Sequence, residues 1–359
     1  MSNKKFKILS LFSSAGIAEF GLDKERFQVV LANELLKNRA DVHEYWHSDS
    51  EMICGDITDD KIKTQIIRRA KDLGVNFILA TPPCQGMSLI GKNKSNEQML
   101  RDARNYLIFH TFDIIDEINP DVVLIENVGR FLKIKYPDET EYKTIDQLIY
   151  NKFSNKYKLD YDVYDVADYG VPQHRERAII KLWKHGLNWG NPRKSKQITV
   201  REAIGDLPSL EAGEKSSLLN HYARNHTKEN ILWMKHTPTG CSAVNNKTYH
   251  PINKKTGKRI KCYPASYKRI DWDKPAPTIT MRNDCIASQS NVHPGRKLKD
   301  GTYSDARVLT LRELFILSSV DPDISVPSFA SDIQIRHIIG EAVPPKLIRV
   351  ITDELKEIG

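Results

Sequence analysis

Apolar residues along the first 180 positions fall into short compact runs separated by longer stretches of helical spacing. Ile8–Phe12, Val29–Ala32, Phe77–Ala80, Val122–Glu126 and Ala178–Leu182 are compact, mostly apolar runs flanked by polar or turn residues, the pattern of buried strands. Between them, Lys61–Leu73 and Tyr106–Ile118 repeat apolar residues every three to four positions and predict amphipathic helices. Strand–helix alternation of this kind predicts an α/β fold with a mostly parallel, doubly wound sheet. After about residue 185 the pattern breaks into short pieces rich in Pro, Gly, Asn and Lys. Helical spacing returns at Thr310–Leu317 and again near the C-terminus. The expected architecture is a Rossmann-type domain formed by 1–184 and 330–359, interrupted by an irregular domain over 185–329.

Charge sharpens that division. The chain of 359 residues has a formal net charge of +8, but residues 181–301 alone carry 23 Lys/Arg against 9 Asp/Glu, while the remainder is slightly acidic. A basic segment on a near-neutral scaffold suggests a module that binds a polyanion. Its densest stretch holds Lys254, Lys255, Lys258, Arg259 and Lys261, followed by Tyr263, Tyr267 and Trp272. The remaining composition is that of a globular chain, 40% hydrophobic and 28% charged, with no apolar run of membrane-spanning length and no signal-peptide pattern at the start. Five scattered cysteines without a Cys-x-x-Cys pair argue against a disulfide framework and against a structural zinc site, and fit a soluble protein of a reducing compartment.

In an open parallel sheet, ligands bind beyond the carboxyl ends of the strands, so the residues following each strand are the candidates for chemistry. After the first strand comes Phe12-Ser13-Ser14-Ala15-Gly16-Ile17, a small-residue turn that lets backbone approach a ligand. It has neither the dinucleotide glycine pattern nor the lysine of a phosphate loop. Glu34 ends the second strand and Asp56 follows in a turn, two carboxylates suited to ribose hydroxyls and an adenine amino group. Two carboxylates without a phosphate cradle point to an adenosine cofactor lacking a phosphate chain, which S-adenosylmethionine is.

Thr81-Pro82-Pro83-Cys84-Gln85 follows the Phe77–Ala80 strand. Two consecutive prolines fix the backbone and aim Cys84, a candidate nucleophile. The polar stretch Gly86–Asn105, with Lys92, Lys94, Arg101 and Arg104, has the composition of a lid. Glu126-Asn127-Val128 ends the next strand, and alternation in Gln173-His174-Arg175-Glu176-Arg177 sets Gln173, Arg175 and Arg177 on one side of an extended segment. Such a row could hold a base edge, a phosphate or a neighbouring carboxylate.

With these motifs in this order, the chain resembles the cytosine-C5 DNA methyltransferases of bacterial restriction–modification systems. The resemblance spans nearly the whole chain and includes three later stretches: Trp272-Asp273-Lys274-Pro275-Ala276-Pro277-Thr278-Ile279-Thr280, Arg307-x-Leu309-Thr310-x-Arg312-Glu313, and Gly340-Glu341-Ala342-Val343-Pro344-Pro345. It implies a Rossmann-like S-adenosylmethionine domain with a smaller target-recognition domain. Cys84 would attack C6 of a flipped cytosine, Glu126 would hold the ring at N3 and the amino group, Arg177 would hold O2, and Arg175 would support that pocket. Phe12, Glu34, Asp56, Ile57 and Leu107 would contact the cofactor. Ser13, Ser14, Gly16, Ile17 and the Pro82 backbone would shape its pocket, with Glu341 and Ala342 near its methionine end. Gln85, Ser88, Lys92 and Lys94 would close on double-stranded DNA, and Lys254, Lys255, Lys258 and Arg259 would contact it from the basic segment.

The same resemblance implies a bacterial cytoplasmic enzyme working on DNA, beside a companion endonuclease that acts on the same site without touching it, and the asymmetric, single-copy arrangement of the motifs suggests a monomer. An RNA-modifying relative and a non-catalytic DNA-binding relative are the alternatives. The family pattern has Gly where Ser14 stands, a change of small consequence if φ is negative there. It has Asn where Glu341 stands and Gln where Ile338 stands.

Overall fold

The computed structural model describes residues 5–83, 101–138, 141–261 and 263–357. Their contacts divide the chain into two compact units. The first comprises Met1–Asp165, Glu176–Arg193 and Leu347–Gly359; the second comprises Val166–Arg175 and Lys194–Lys346.

In the first unit, the elements run β1 (Phe6–Leu11), β2 (Phe27–Glu34), α1 (Lys37–Trp46), β3 (Glu51–Cys54), α2 (Asp60–Leu73), β4 (Phe77–Ala80), α3 (Leu107–Ile118), β5 (Val122–Asn127), β6 (Lys135–Asp138), β7 (Glu141–Thr144), α4 (Ile145–Phe153), β8 (Lys158–Asp165), β9 (Glu176–Trp183) and β10 (Leu187–Trp189). A seven-stranded sheet has the order β3-β2-β1-β4-β5-β9-β8. The first five strands are parallel, while β9 is antiparallel to both β5 and β8. The apolar run Ala178–Leu182 is thus a strand, as its composition predicts, but it runs against the parallel set. Every residue of β4 and β5 is buried, which explains the apolar runs Phe77–Ala80 and Val122–Ile125.

Local chemistry sets the helix ends. Asp59 caps α2 by accepting from the Lys61 N–H at 2.8 Å, and Gly74 ends it in the left-handed conformation. The core on one face gathers Leu9, Leu11, Ile78, Val123 and Ile125 of the sheet with Ile66, Phe112, Ile115 and Phe153 of the helices. The chain's last strand, β11 (Leu355–Glu357), pairs antiparallel with β10, and the Trp189 indole N–H donates to the Ile351 carbonyl at 2.8 Å.

The second unit carries little regular structure: α5 (Val200–Ile204), α6 (Lys228–Lys235), α7 (Leu311–Leu317) and α8 (Asp332–Glu341), with α9 (Pro345–Asp353) beginning at its end. Buried arginines take the place of sheet. Arg269 donates to the carbonyls of Met234, His293, Ser304 and Asp305. Arg307 forks onto Glu313 at 2.8 and 2.9 Å and onto Asp305 at 3.0 Å, and Glu313 also closes the capping box of α7 with Thr310. Carbonyls left unpaired by irregular backbone must find donors, and the planar guanidinium supplies several at once.

Candidate active site

The parallel strands end together, and the loops beyond them carry the residues singled out by sequence. After β1, the backbone of Phe12 (φ 58°), Ser14 (φ 48°) and Gly16 (φ 75°) is left-handed at alternate positions. The condition under which Ser14 would be a change of small consequence, a negative φ, is therefore not met. Its geometry is held by Glu34, whose Oε2 accepts the Ser14 N–H at 2.9 Å while Oε1 accepts the Leu36 N–H at 2.8 Å. Ser13 turns inward, its N–H donating to the Asn33 carbonyl at 3.1 Å, and Ile17 is buried. Asn33 braces the next loop by donating to the carbonyls of Ile53 and Gly55. Beyond it Asp56 is exposed, accepting from the Thr58 N–H and hydroxyl, and Ile57 is buried. Leu107, at the start of α3, is half-buried against the core. Phe12, Ser14, Glu34, Asp56, Ile57 and Leu107 all belong to one unit and follow or end its strands or open its helix.

After β4, the Thr81 hydroxyl donates to the Phe12 carbonyl at 3.0 Å. Pro82 is buried, and its carbonyl accepts from the Asn127 amide at 3.1 Å. That bond ties the Pro-Pro segment to the end of β5. Asn127 and Thr81 had no role in the sequence reading, although both stand inside its motifs. Cys84, Gln85, Ser88, Lys92 and Lys94 lie outside the described residues.

Glu126, next to last in β5, is a buried carboxylate, and Arg177, the second residue of β9, lies beside it, with Nε 2.6 Å from Oε1. Antiparallel β9 brings its first residues to the edge where the parallel strands finish, which is why residues 51 positions apart meet. An ion pair this buried is poorly screened, and removing either member would leave a charge in a poorly solvated place. The row Gln173, Arg175, Arg177 is divided between the two units. Arg175 is buried in the second, where its guanidinium donates to the carbonyls of Ile279 at 2.9 Å and Gly340 at 3.1 Å. Gln173 is there too, accepting the Ile279 N–H and donating to the Leu317 carbonyl. Glu341 and Ala342 end α8 in that unit and are half-buried.

In the basic segment, Asn253 folds a turn by accepting from the N–H groups of Lys255 and Thr256, and left-handed Gly257 (φ 65°) turns the chain so that Ile252 bridges Arg259. Lys254, Lys255 and Lys258 project as exposed side chains. Arg259 donates to the Asn246 carbonyl at 2.7 Å and so holds the loop's base.

Residues 6–357 match the family of C-5 cytosine-specific DNA methylases, and the chain belongs to that family. It is 47% identical to the Type II methyltransferase M1.HgaI of Avibacterium volantium, over 97% of both chains. It is 28% identical to the Type II methyltransferase M1.HphI of Haemophilus parahaemolyticus, over 98% of this chain and 87% of that one. Among solved structures, the Entamoeba histolytica methyltransferase EhMeth superposes with a TM-score of 0.65 at 15% identity, each chain 98% covered. DNMT2 of Spodoptera frugiperda gives 0.61 at 18% identity, with 98% of this chain and 99% of that one covered. These two likenesses concern the fold. Among the described residues, no helix is long and apolar enough to cross a membrane.

Proposed function

We propose that this protein is a DNA (cytosine-5-)-methyltransferase of a restriction–modification system, transferring a methyl group from S-adenosylmethionine to C5 of a flipped cytosine in double-stranded DNA. The observation that carries the reading is the buried Glu126–Arg177 pair, in a chain of this family whose Pro82 is tied to the same strand end.

The donor set fits the cofactor. Glu34 and Asp56 supply carboxylates beyond β2 and β3, the Phe12–Gly16 turn keeps small residues at the strand ends, and no lysine-bearing phosphate loop accompanies them. When bound, S-adenosylmethionine supplies the electrophilic methyl group. Glu34 would take the ribose, Asp56 and Ile57 the adenine side, and Phe12, Leu107 and the Pro82 backbone the remaining walls. Ser13, Ser14, Gly16 and Ile17 would shape the turn, and Glu341 and Ala342 would lie toward the methionine end.

Cytosine C5 is a poor nucleophile, and covalent addition divides the reaction into easier steps. The Cys84 thiolate would bond to C6, and the ring electrons would then make C5 nucleophilic. Glu126 would stabilise that shift by hydrogen bonding at N3 and the exocyclic amine, and Arg177 would fix Glu126 and reach O2. Once C5 carries the methyl group, a base removes its proton and Cys84 leaves as the C6–S bond breaks. Arg175 would support the base pocket. Extruding the base costs a few kcal/mol. Phosphate contacts from Lys254, Lys255, Lys258 and Arg259, and from Gln85, Ser88, Lys92 and Lys94, would offset it. Residues 185–329 would choose the target sequence, in a monomer whose companion endonuclease reads the same site.

The test is methyl-labelled S-adenosylmethionine with unmethylated duplex DNA and, separately, total tRNA. Label in DNA 5-methylcytosine, lost in Cys84→Ser, supports the proposal. Label only in tRNA moves the substrate, and no label despite DNA binding contradicts catalysis.

A further inference from the structure

Beneath the Gly16 turn lie three residues that no motif predicts. Glu19 is in the 3-10 turn Ala18–Gly21, His43 is in the last turn of α1, and His47 caps that helix four residues on. Glu19 and His43 are buried, and the side chain of His47 is 15% exposed. His43 Nε2 is 3.0 Å from Glu19 Oε2, and His47 Nε2 is 2.9 Å from the Gly16 carbonyl oxygen. A carbonyl only accepts, so His47 carries its proton on Nε2. The two imidazoles lie 4.7 Å apart between centroids, and Phe20 stacks on His47 at 4.7 Å. The turn rests directly on these rings. A Cβ at residue 16 would come within 2.4 Å of His47 Nε2 and 2.8 Å of His43 Cδ2, and φ there is +75°. Only glycine satisfies both demands.

Two histidines and a carboxylate with ligand atoms within 4.8 Å of one another could also hold a metal ion. The hydrogen-bonded arrangement fits better. A metal-bound imidazole donates its other N–H to a partner, whereas His43 Nδ1 is buried and makes no hydrogen bond. Coordination through Nε2 would leave a buried donor there with nothing to receive it. As a hydrogen-bonded chain the set is consistent: burial opposes ionisation of Glu19, but the bond from His43 favours the carboxylate and holds it below the usual carboxylate range, so it accepts from His43 as a carboxylate. Burial lowers the pKa of His47, in keeping with a neutral ring that donates to Gly16.

We infer that Glu19, His43 and His47 are positioning residues that fix the Gly16 turn and thereby set the affinity for S-adenosylmethionine, an inference that rests on the reading of that turn as the cofactor site. Glu19 fixes the tautomer and plane of His43, His43 packs tilted against His47, and His47 holds the turn's carbonyl.

The experiment measures S-adenosylmethionine binding by calorimetry, and KM and kcat for labelled methyl transfer to unmethylated duplex DNA. His47→Leu removes the donor at similar volume and is expected to raise Kd and KM about tenfold, the equivalent of one hydrogen bond, with kcat within about twofold. His47→Gln keeps an N–H donor and is expected to recover most of the loss. Should His47→Leu melt early, Glu19→Gln keeps the buried shape and is expected to raise KM with kcat likewise retained. Cofactor bound as tightly by a folded His47→Leu or Glu19→Gln protein as by wild type overturns the inference while leaving the cofactor reading intact. A wild-type protein that binds no S-adenosylmethionine overturns the cofactor reading and this inference with it.

Discussion

Ser14 occupies a left-handed conformation at φ 48°, where a side chain crowds the following carbonyl and glycine does not. Its N–H is spent on Glu34, one of the proposed cofactor ligands, so the strain and the binding geometry belong to the same turn. Ser14→Gly should therefore raise stability by about 0.5–1 kcal/mol, the left-handed penalty less the added freedom of glycine in the unfolded chain. Urea denaturation checks this, and an unchanged or lower midpoint would show that Ser14 is unstrained. At this scale the sequence showed part of the site. Glu126 and Arg177 were legible because each stands in a motif at a strand end. Glu19, His43 and His47 were not, because 24 residues separate Glu19 from His43 and only the return of α1 beneath the β1 turn brings them together.

Elements were legible in proportion to their burial. The sequences of β4 and β5, Phe-Ile-Leu-Ala and Val-Val-Leu-Ile-Glu-Asn, read as strands because both faces are covered. The outermost strand β8, Lys-Leu-Asp-Tyr-Asp-Val-Tyr-Asp, did not, since its residues are largely exposed and charged. Nor did α1, where the buried positions include Arg39 and His43 and blur the apolar stripe. The second unit resisted most, because buried arginines and turns replace periodic structure there. Its exposed loop gives an element-scale prediction. Replacing Lys254, Lys255 and Lys258 together by alanine removes three charges that make no part of the unit's interior. It should weaken DNA binding and reduce the slope of log K against log salt by about 2 to 3, close to one per phosphate contact. Binding measured across a salt series checks this, and an unchanged slope would place the phosphate contacts elsewhere.

Across the whole molecule, buried ionisable groups tie stability to pH. In the second unit, burial lowers His226 to about 4, aided by the positive charges of Arg224, Arg336 and Arg307, and lowers His293 to about 3, aided by Arg307. Both rings are neutral when folded and take up protons when unfolded below the ordinary value of 6.5. Their contribution is therefore complete above about pH 6.5 and is lost as pH falls from there toward 4 and 3. Between pH 7.5 and pH 5 the unfolding free energy should drop by about 2 kcal/mol for each ring, roughly 4 kcal/mol for the two together. A urea midpoint that stays level or rises over that interval would contradict the neutral assignments.

The claim on which the rest depends is that Cys84 bonds covalently to the target cytosine while Glu126 and Arg177 hold the ring. Its most direct test is to incubate wild type and Cys84→Ser with S-adenosylmethionine and duplex DNA in which cytosines carry fluorine at C5. No proton can then be removed from that carbon, so the adduct cannot resolve. Wild type should give a denaturant-stable protein–DNA complex that maps to Cys84, and Cys84→Ser should give none. Methyl transfer by wild type to ordinary DNA without such a complex, or an equal complex formed by Cys84→Ser, would contradict the account.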